Sequence, residues 1–240
     1  EMGFINSKTD NCVYTFKDKK SVMFIIIYVD DLLMFTNDDD LQNKVQRQLS
    51  SEFKMTDLGN LHNYLGIKVQ RDNDHISLSQ SEFIESLLEE CNMSDCKFAP
   101  NPILPGVQLI QNKEWDEEDD AKDRLNVPYR RRVGKVQWLA QCTRPDIALV
   151  TNVLSRYNNN HKQIHWLAVK RVLRYLKGTK DDHLVYSRNN KEVVGYVDAT
   201  WGSDEVERKS TTGYVFVLAG AAIVWRTHLQ QTVALSSVES

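Results

Sequence analysis

Residues 22–36, VMFIIIYVDDLLMFT, decide the fold of the first part of this chain. Eight apolar or aromatic residues precede two adjacent aspartates, Asp30 and Asp31, and a second apolar run follows them. Runs rich in β-branched and aromatic residues predict β-strands. The segment therefore predicts two strands with both aspartates at the tight connection between them. The continuous apolar character of the first strand predicts burial on both of its faces.

Two adjacent carboxylates at the end of an apolar strand need a physical reason. Like charges held close together repel, and desolvation adds to the cost. Bound Mg²⁺ would supply that reason, because it takes carboxylate oxygens and substrate phosphates as ligands. A pair of such ions can stabilise both the attacking and the leaving oxygen of a phosphoryl transfer. For the dipeptide taken alone, a solvated turn is the alternative.

An amphipathic helix is predicted after the second strand, with Asn37 or Asp38 as its N-cap. Its apolar stripe has the spacing of a single buried face and consists of Leu41, Val45, Leu49 and Phe53. Residues 61–69 predict one more strand and residues 76–78 another. The pattern Ser79-x-x-Glu82 then predicts a capping box at the start of a second helix. This mixture of strands and helices is typical of an α+β fold.

A proline-rich stretch and an acidic stretch follow, and together they predict an exposed linker or long loop over residues 99–123. Three helices are predicted after it. The first begins at Pro128, the second follows Arg144-Pro145, and the third extends from about His165 to Lys177.

From Glu192 the apolar pattern changes to a period of two residues, which is typical of half-buried strands. Four short strands are predicted, at residues 193–197, 213–218, 222–225 and 232–235. A helix is predicted to begin at Ser236. We expect the strands near Tyr214 and Trp225 to be exposed, because a short meander cannot cover its apolar face.

The charge of the chain is strongly uneven. The formal net charge is −3, but Pro128–Lys180 contains twelve Lys and Arg residues and a single acid, Asp146. The basic residues of the third predicted helix recur at three- and four-residue spacing and therefore share a face. They are Lys170, Arg171, Arg174 and Lys177. Such a block is typical of a surface that follows a phosphate backbone, although a solvated helix face is an alternative that charge alone leaves open.

Composition disfavours several classes of protein. The longest uninterrupted apolar run is residues 22–29, whereas a membrane-spanning helix needs roughly 18 apolar residues or more. The first residues carry neither a secretion signal nor a transit pattern, and the chain does not begin with Met, so we expect a fragment. Its four cysteines lack the C-x-x-C spacing of a zinc site. These features favour a reduced intracellular protein with no membrane partner.

Collinear motifs cover nearly the whole chain. The first group is YVDD (28–31), YLGI (64–67), LSQ (78–80), PYR (128–130), VG (133–134), TRPDI (143–147), HW (165–166) and KRVLRYLKGT (170–179). The second group is GYVDA (195–199), RKST (208–211), GYVF (213–216) and VALSS (233–237) with Glu239. The first group resembles the reverse transcriptase of copia-type long-terminal-repeat retrotransposon Pol polyproteins. The second is similar to the opening of their RNase H domain.

This resemblance implies three regions and an activity. Residues 1–75 would be the C-terminal part of a polymerase palm, residues 76–190 a helical thumb and connection, and residues 191–240 the first strands of an RNase H-like fold. The activity implied is that of an RNA-directed DNA polymerase with ribonuclease H. Its partners would be RNA template, DNA primer, RNA–DNA hybrid, deoxynucleotides and the rest of the Pol polyprotein. Its location would be cytoplasmic virus-like particles and the nucleus.

The resemblance also implies roles for individual residues. Asp30 and Asp31 would hold two Mg²⁺ ions in the polymerase, with Asp30 the stronger ligand candidate. Asp198 and Glu239 would do so in the RNase H site. Nucleic acid would contact Tyr28, near the primer end, and seven basic residues: Arg130, Arg131, Lys135, Lys170, Arg171, Arg174 and Lys177.

The third polymerase carboxylate and the fingers would lie upstream of this sequence, and the other RNase H acids downstream. We therefore expect both sites to be incomplete and the chain alone to be inactive. Thr200 stands where the family usually has an acid, and Gly202 where it usually has Ala. One alternative is an inactive retrotransposon remnant that at most binds nucleic acid. Another is a structural subdomain that acts only after docking with the fingers.

Overall fold

The computed structural model describes residues 2–103, 126–188, 192–204 and 207–240. Within these residues the chain folds into antiparallel sheets and helices, which confirms the predicted mixture of strands and helices. It divides into two compact units, Glu1–Asn60 and Leu61–Ser240. The part of the predicted 99–123 loop that follows residue 103 lies outside the described residues.

The first unit is one antiparallel sheet with a helix. In sequence and in spatial order its strands are β1 (Ile5–Asn6), β2 (Val13–Lys17), β3 (Val22–Tyr28) and β4 (Asp31–Thr36). The helix, α1 (Asp39–Glu52), follows β4. Met23 and Ile25 of β3 are buried with Val45 of α1 and form the centre of the core of this unit.

Two details of this unit differ from the prediction and one agrees with it. Burial of β3 on both faces is wrong, because α1 packs on the face with Met23, and Phe24 on the opposite face is 43% exposed. The predicted stripe of α1 is too long, since Phe53 has an extended backbone beyond the last helical turn and is exposed. Asp38 is confirmed as the N-cap, because its carboxylate accepts hydrogen bonds from two backbone N–H groups of the first turn.

The second unit begins with a four-stranded antiparallel sheet whose last edge strand comes from a segment more than 100 residues further along the chain. The strand order is β5 (Asn63–Tyr64), β6 (Ile67–Arg71), β7 (His75–Ser79) and β8 (Leu184–Ser187). A single strand over residues 61–69 is wrong, because Leu65 and Gly66 have positive φ values of 53° and 77° and reverse the chain between β5 and β6. The sheet also crosses the boundary predicted between residues 75 and 76. The functional division into palm, thumb and RNase H stays a prediction.

Helices form the middle of the second unit. They are α2 (Ser81–Glu90), α3 (Tyr129–Cys142), α4 (Ala148–Ser155) and α5 (Gln163–Gly178), with a short 3₁₀ helix (Pro145–Ile147) before α4. The three helices predicted after residue 127 are thereby confirmed. Their apolar faces meet in one core, in which Leu139 and Leu173 are fully buried. No helix in the described residues is long and apolar enough to cross a membrane.

The capping box predicted at Ser79 is wrong. Gln80 is the N-cap of α2, and no side chain makes a cap hydrogen bond there. Gln80 is 2% exposed, and its side-chain oxygen accepts a hydrogen bond from the Thr143 hydroxyl at 2.8 Å. The start of α2 is therefore held by a contact with the end of α3 rather than by a local cap.

A three-stranded antiparallel sheet lies at the end of the chain, in the order β11 (Ala221–Leu229), β10 (Thr211–Leu218) and β9 (Val194–Thr200). Three of the four strands predicted after Glu192 are confirmed. The strand at residues 232–235 is wrong, because the Ala234 carbonyl accepts a hydrogen bond from the Trp201 indole at 3.0 Å and the segment pairs with no described strand. The helix predicted from Ser236 is wrong as well, since this segment forms a single turn.

The predicted exposure of the strands near Tyr214 and Trp225 is confirmed in part, because Phe216 is 43%, Ile223 41% and Val224 49% exposed. The side chains of Tyr214 and Trp225 themselves are half-buried, and the Trp225 indole N–H donates to the Ala140 carbonyl of α3 at 2.7 Å. The sheet thus packs on the helices through β11. Apolar side chains are exposed also on β9, at the opposite edge, where Tyr196 is 61% and Val197 77% exposed.

A buried ion pair joins the helices of this unit. Arg144, which precedes the 3₁₀ helix, is 2% exposed, and its Nε and Nη2 donate to the two carboxylate oxygens of Asp146 at 3.0 and 2.7 Å. Its Nη1 and Nη2 also donate to the carbonyl and the hydroxyl of Thr179, the C-cap of α5, at 2.9 and 2.5 Å. The Tyr175 hydroxyl donates to Asp146 at 2.8 Å. Burial disfavours the charged form of Asp146, but the hydrogen bonds from Arg144 outweigh it, so the pKa of Asp146 lies below its ordinary value.

Asp146→Asn is expected to lower the free energy of unfolding of the second unit by about 2–4 kcal/mol, because Arg144 would stay buried without a compensating charge. The upper part of the usual range is not expected, since the Asp146 side chain is 35% exposed. Urea unfolding followed by tryptophan fluorescence measures the effect, because all five tryptophans lie beyond residue 60.

Because the pKa of Asp146 is lowered in the folded state, its contribution to stability is present at neutral pH and is lost as the pH falls through that lowered pKa. The control is Asp95→Asn, which changes an exposed carboxylate of the same unit and should alter the free energy by less than about 0.5 kcal/mol. Equal effects of the two substitutions would contradict the role given to the pair.

Candidate active-site hairpin and basic surface

The two aspartates lie at the turn of the β3–β4 hairpin. Tyr28 pairs with Asp31 in the antiparallel register, so Val29 and Asp30 form a two-residue connection. The predicted position of the pair at a tight strand connection is thereby confirmed. Both aspartates are exposed, as expected for a hairpin turn near solvent, so desolvation adds little to the cost of holding the pair. Their mutual repulsion in water remains.

The backbone of Val29 is strained. Its φ is 53°, in the left-handed region that costs an L-residue roughly 1–2 kcal/mol and suits β-branched residues least. The side chain is 82% exposed, so little packing offsets this cost. Two-residue hairpins favour turns with a positive φ at the first position, which glycine usually supplies. The strain therefore belongs to the turn that carries Asp30 and Asp31, a combination typical of functional sites.

The base of the hairpin is tied to the start of α1. The Ser21 hydroxyl donates to the Asp38 carboxylate at 2.5 Å, and the Val22 N–H donates to the Asn37 side-chain oxygen at 2.8 Å. The hydrogen bond from Ser21, followed by that from the Leu41 N–H, lowers the pKa of Asp38. Since α1 also packs on β3, the hairpin is held at its base and its turn projects into solvent.

The hairpin offers carboxylate oxygens, which are the ligands that Mg²⁺ prefers in proteins. In the part of the chain that the structure describes, no cluster of three or more His, Cys, Asp or Glu residues could hold a metal ion. Asp30 and Asp31 could therefore provide two ligand groups. Substrate phosphates, water or further carboxylates would have to supply the others.

The candidate RNase H carboxylates lie in the second unit. Asp198 is exposed on β9 opposite Gly213 of β10, and its carboxylate accepts a hydrogen bond from the Ala199 N–H at 2.9 Å. Glu239 lies in the turn near the end of the sequence, where its carboxylate accepts from the Leu235 N–H at 2.7 Å. Neither belongs to a group of three or more His, Cys, Asp or Glu among the described residues that could hold a metal ion, and their catalytic roles stay predictions.

The basic residues of α3 differ in exposure and in their contacts with Glu90. Arg130 and Arg131 are exposed, and Arg131 Nη2 lies 3.8 Å from Glu90 Oε2. Lys135 and Arg132 both donate to the carboxylate of Glu90, the last residue of α2. The hydrogen bonds from Lys135, and then from Arg132, lower the pKa of Glu90 to about 2, so this carboxylate stays charged near neutral pH. Lys135, a predicted nucleic-acid contact, is therefore compensated within the protein.

The basic residues of α5 are half-buried, and two of them hold a neighbouring segment. Arg174 Nε donates to the Lys97 carbonyl and Lys177 Nζ to the Cys96 carbonyl, each at 2.7 Å. Lys170 lies over the Trp166 ring, 5.6 Å from its centroid. Among the described residues, no hydrogen bond or ion pair engages the side chains of Lys170 and Arg171.

Sequence reasoning missed Glu90. It contacts Arg132 and Lys135, which lie 42 and 45 positions further along the chain, whereas spacing rules for charge pairs apply within one helix. The sequence carried a weaker indication of this contact. The last turn of α2 contains acids and no basic residue, which is unfavourable beside the negative end of a helix. Such a turn indicates that cations from another part of the chain compensate the acids.

Val29→Gly is expected to stabilise the first unit by about 1 kcal/mol. Glycine adopts a positive φ without the steric cost, and only part of the gain is lost to its greater freedom in the unfolded chain. Amide hydrogen exchange of residues 22–36, followed by mass spectrometry, measures the effect, because this unit contains no tryptophan. Val22→Gly is the matched control. Val22 does not have a positive φ, so glycine relieves no strain there and should make amide exchange faster. Faster exchange in Val29→Gly would show that the turn is not strained.

Comparison with known proteins identifies the relatives of the chain. A family model described as reverse transcriptase (RNA-dependent DNA polymerase) matches residues 1–105. The Pol polyprotein of transposon TNT 1-94 from Nicotiana tabacum is 37% identical over 241 residues, which cover 99% of this chain and 18% of that protein. The Pol polyprotein of transposon RE1 from Arabidopsis thaliana is 34% identical over 240 residues, which cover 100% of this chain and 16% of that protein.

A shorter relative is an uncharacterized mitochondrial protein of Arabidopsis thaliana, which is 35% identical over 219 residues, 91% of this chain and 88% of that protein. No solved structure matches the chain significantly. The chain spans less than a fifth of the length of the two transposon polyproteins. The two alignments cover all or nearly all of this chain. The chain therefore belongs to the reverse transcriptase family of copia-type retrotransposon Pol polyproteins.

Proposed function

We propose that this chain is the segment of an RNA-directed DNA polymerase that carries two of its catalytic carboxylates, Asp30 and Asp31. The observation that supports this most directly is their position on an exposed hairpin turn, within the residues matched by the reverse transcriptase model. The substrates would be an RNA template, a DNA primer and deoxynucleotides. The rest of the Pol polyprotein would be its partner and would supply the third carboxylate.

The chemistry proposed is attack of the primer 3′-hydroxyl on the α-phosphate of a deoxynucleotide. Two Mg²⁺ ions, when bound, would neutralise phosphate charge and stabilise the attacking and leaving oxygens. Asp30 and Asp31 would hold and orient the two ions. The hydrogen bonds at the base of the hairpin would keep the two carboxylates in position. Tyr28, opposite Asp31 and 49% exposed, would contact the primer end.

The basic helices would contact the template–primer through phosphate and sugar. Such contacts carry no sequence information, which suits an enzyme that copies any template. The contacts that the geometry supports best are the exposed Arg130 of α3 and Lys170 and Arg171 of α5, whereas Arg131 lies beside Glu90. Arg174 and Lys177 keep their charge while they hold residues 96–97, so their role would be to strengthen the positive field.

We propose further that β9, β10 and β11 begin an RNase H domain whose substrate is RNA–DNA hybrid. Asp198 and Glu239 would be two of its ligands for Mg²⁺. The exposed carboxylate of Asp198, with a single backbone hydrogen bond among the described residues, supports this role. The Glu239 carboxylate would have to release the Leu235 N–H before it could bind an ion.

A catalytically inactive remnant that binds nucleic acid is the alternative, and Thr200 in place of the usual acid favours it for the RNase H part. The two proposals differ at the hairpin. A remnant has no need to bind divalent ions there, whereas a polymerase segment must offer both carboxylates to them.

Mn²⁺, a paramagnetic substitute for Mg²⁺, is expected to broaden the amide NMR signals of residues 28–32 before those of other segments, because two exposed carboxylates meet there. Asp30→Asn and Asp31→Asn should each weaken this broadening several-fold. Asp39→Asn, which alters an exposed carboxylate of the same unit, should leave it unchanged. Equal broadening in all four proteins would sink the metal assignment.

The chain alone is also expected to extend no primer on a poly(rA) template and to cleave no hybrid with Mg²⁺, because a site that lacks ligands misaligns the phosphate. Activity that disappears in Asp30→Asn or Asp198→Asn would show that the chain assembles a working site by itself.

The chain is expected to bind RNA–DNA hybrid with an affinity that falls steeply with salt. Arg130→Gln and Lys170→Gln should each reduce the log–log slope by about 0.9, the contribution of one neutralised phosphate. Fluorescence anisotropy of a labelled hybrid between low and moderate salt measures the slope. Lys19→Gln, an exposed lysine in the β2–β3 turn of the first unit, is the control for the same change in charge. An affinity independent of salt would contradict the proposed contact.

A further inference from the structure

Glu90 lies among the cations of α3. Its carboxylate accepts hydrogen bonds from Arg132 and Lys135, and Arg131 Nη2 lies 3.8 Å from Oε2. The Glu90 side chain is 31% exposed and that of Lys135 is 24% exposed, so solvent and solutes reach this cluster. An acid therefore lies among the α3 cations of the basic surface that is proposed to contact nucleic acid.

Helix α2 does not depend on the charge of this carboxylate. A negative side chain in the last turn of α2 is unfavourable beside the negative end of the helix. The helix is anchored by the buried side chains of Ile84, Leu87 and Leu88. Its end is satisfied separately, since Arg132 Nη2 also donates to the Glu90 backbone carbonyl at 3.0 Å. The position of the carboxylate thus calls for a reason other than helix stability.

The contacts of Glu90 are those that a phosphate group would make. Carboxylate and phosphate oxygens both accept charge-assisted hydrogen bonds from lysine and arginine. A cation already paired with a carboxylate neutralises no phosphate and releases no counterion from nucleic acid. While Glu90 holds Lys135 and lies beside Arg131, this face of α3 therefore presents less positive charge to a ligand than its sequence indicates.

We propose that Glu90 is an intrachain competitor for nucleic-acid phosphate at Lys135 and Arg131, and that it limits the affinity of the α3 face for duplex. This inference rests on the proposed contact between the basic helices and nucleic acid. A phosphate that reaches Lys135 must displace Glu90 or share the cation with it. Removal of the carboxylate charge makes Lys135 available, while Arg132 stays bound to the backbone carbonyl at the end of α2.

Glu90→Gln in the full chain tests the competition. A labelled RNA–DNA hybrid in fluorescence anisotropy should bind about 3- to 10-fold more tightly at 0.1 M salt, with a log–log slope steeper by up to about 0.9. Glu89→Gln is the matched control, because Glu89 is exposed on the same helix and makes no ion pair among the described residues. It should raise affinity less than about twofold. Equal gains in the two variants, or no gain in Glu90→Gln, would overturn the proposal.

Lys135→Gln in both backgrounds provides an independent readout. With Glu90 present it should change the slope little, and in Glu90→Gln it should reduce the slope by about 0.9. If Glu90→Gln does not fold, as judged by tryptophan fluorescence, the comparison of Lys135→Gln with Lys170→Gln in the otherwise unchanged chain decides. Competition predicts that Lys170→Gln reduces the log–log slope more than Lys135→Gln does, and equal reductions of the slope contradict it. If the affinity of the unchanged chain does not depend on salt, the proposed contact with nucleic acid is refuted. If its affinity falls steeply with salt but the Glu90 and Lys135 variants bind like the unchanged chain, only the competition is refuted.

Discussion

The second unit depends on the buried charge of Arg144. A guanidinium cannot be neutralised at any pH that proteins tolerate, so at 2% exposure its polar partners are obligatory. Asp146 supplies the countercharge, and Thr179 supplies a carbonyl and a hydroxyl. Because these partners lie before α4 and at the end of α5, one side chain ties the two helices together. The sheet of β9, β10 and β11 then packs on this helical core through the bond from Trp225 to Ala140.

The first unit obeys a different constraint, the geometry of a two-residue hairpin. Its turn combines an unfavourable backbone at Val29 with two like charges, and neither is compensated by burial. Other interactions of this unit offset the cost. They are the packing of the buried side chains of Met23 and Val45 and the hydrogen bond from Ser21 to Asp38. Strain concentrated at one exposed turn of an otherwise regular sheet is the pattern expected where side chains are held ready for a ligand.

Positive charge in the second unit is divided between structure and surface. Arg144 is buried in an ion pair, Lys135 is compensated by Glu90, and Lys177 holds the Cys96 carbonyl. The electrostatic field that a nucleic acid would meet is therefore weaker than a count of basic residues predicts. Where such a block is a candidate phosphate-binding surface, the acids packed against it determine its effective charge as much as the cations do.

The sequence by itself determined the family, the hairpin that carries Asp30 and Asp31, the Asp38 cap and the helices after residue 127. These features follow from apolar periodicity and cap chemistry, which act between residues close in the chain. The sequence pattern was misleading at Ser79, where the start of the helix is held by a tertiary hydrogen bond to Gln80 instead of a capping box. It was also misleading at residues 232–235, where the Ala234 carbonyl accepts a hydrogen bond from the Trp201 indole instead of from a neighbouring strand. Only the tertiary structure decided which cations stay available, because Glu90 meets its partners across more than 40 positions and no local spacing encodes such a contact.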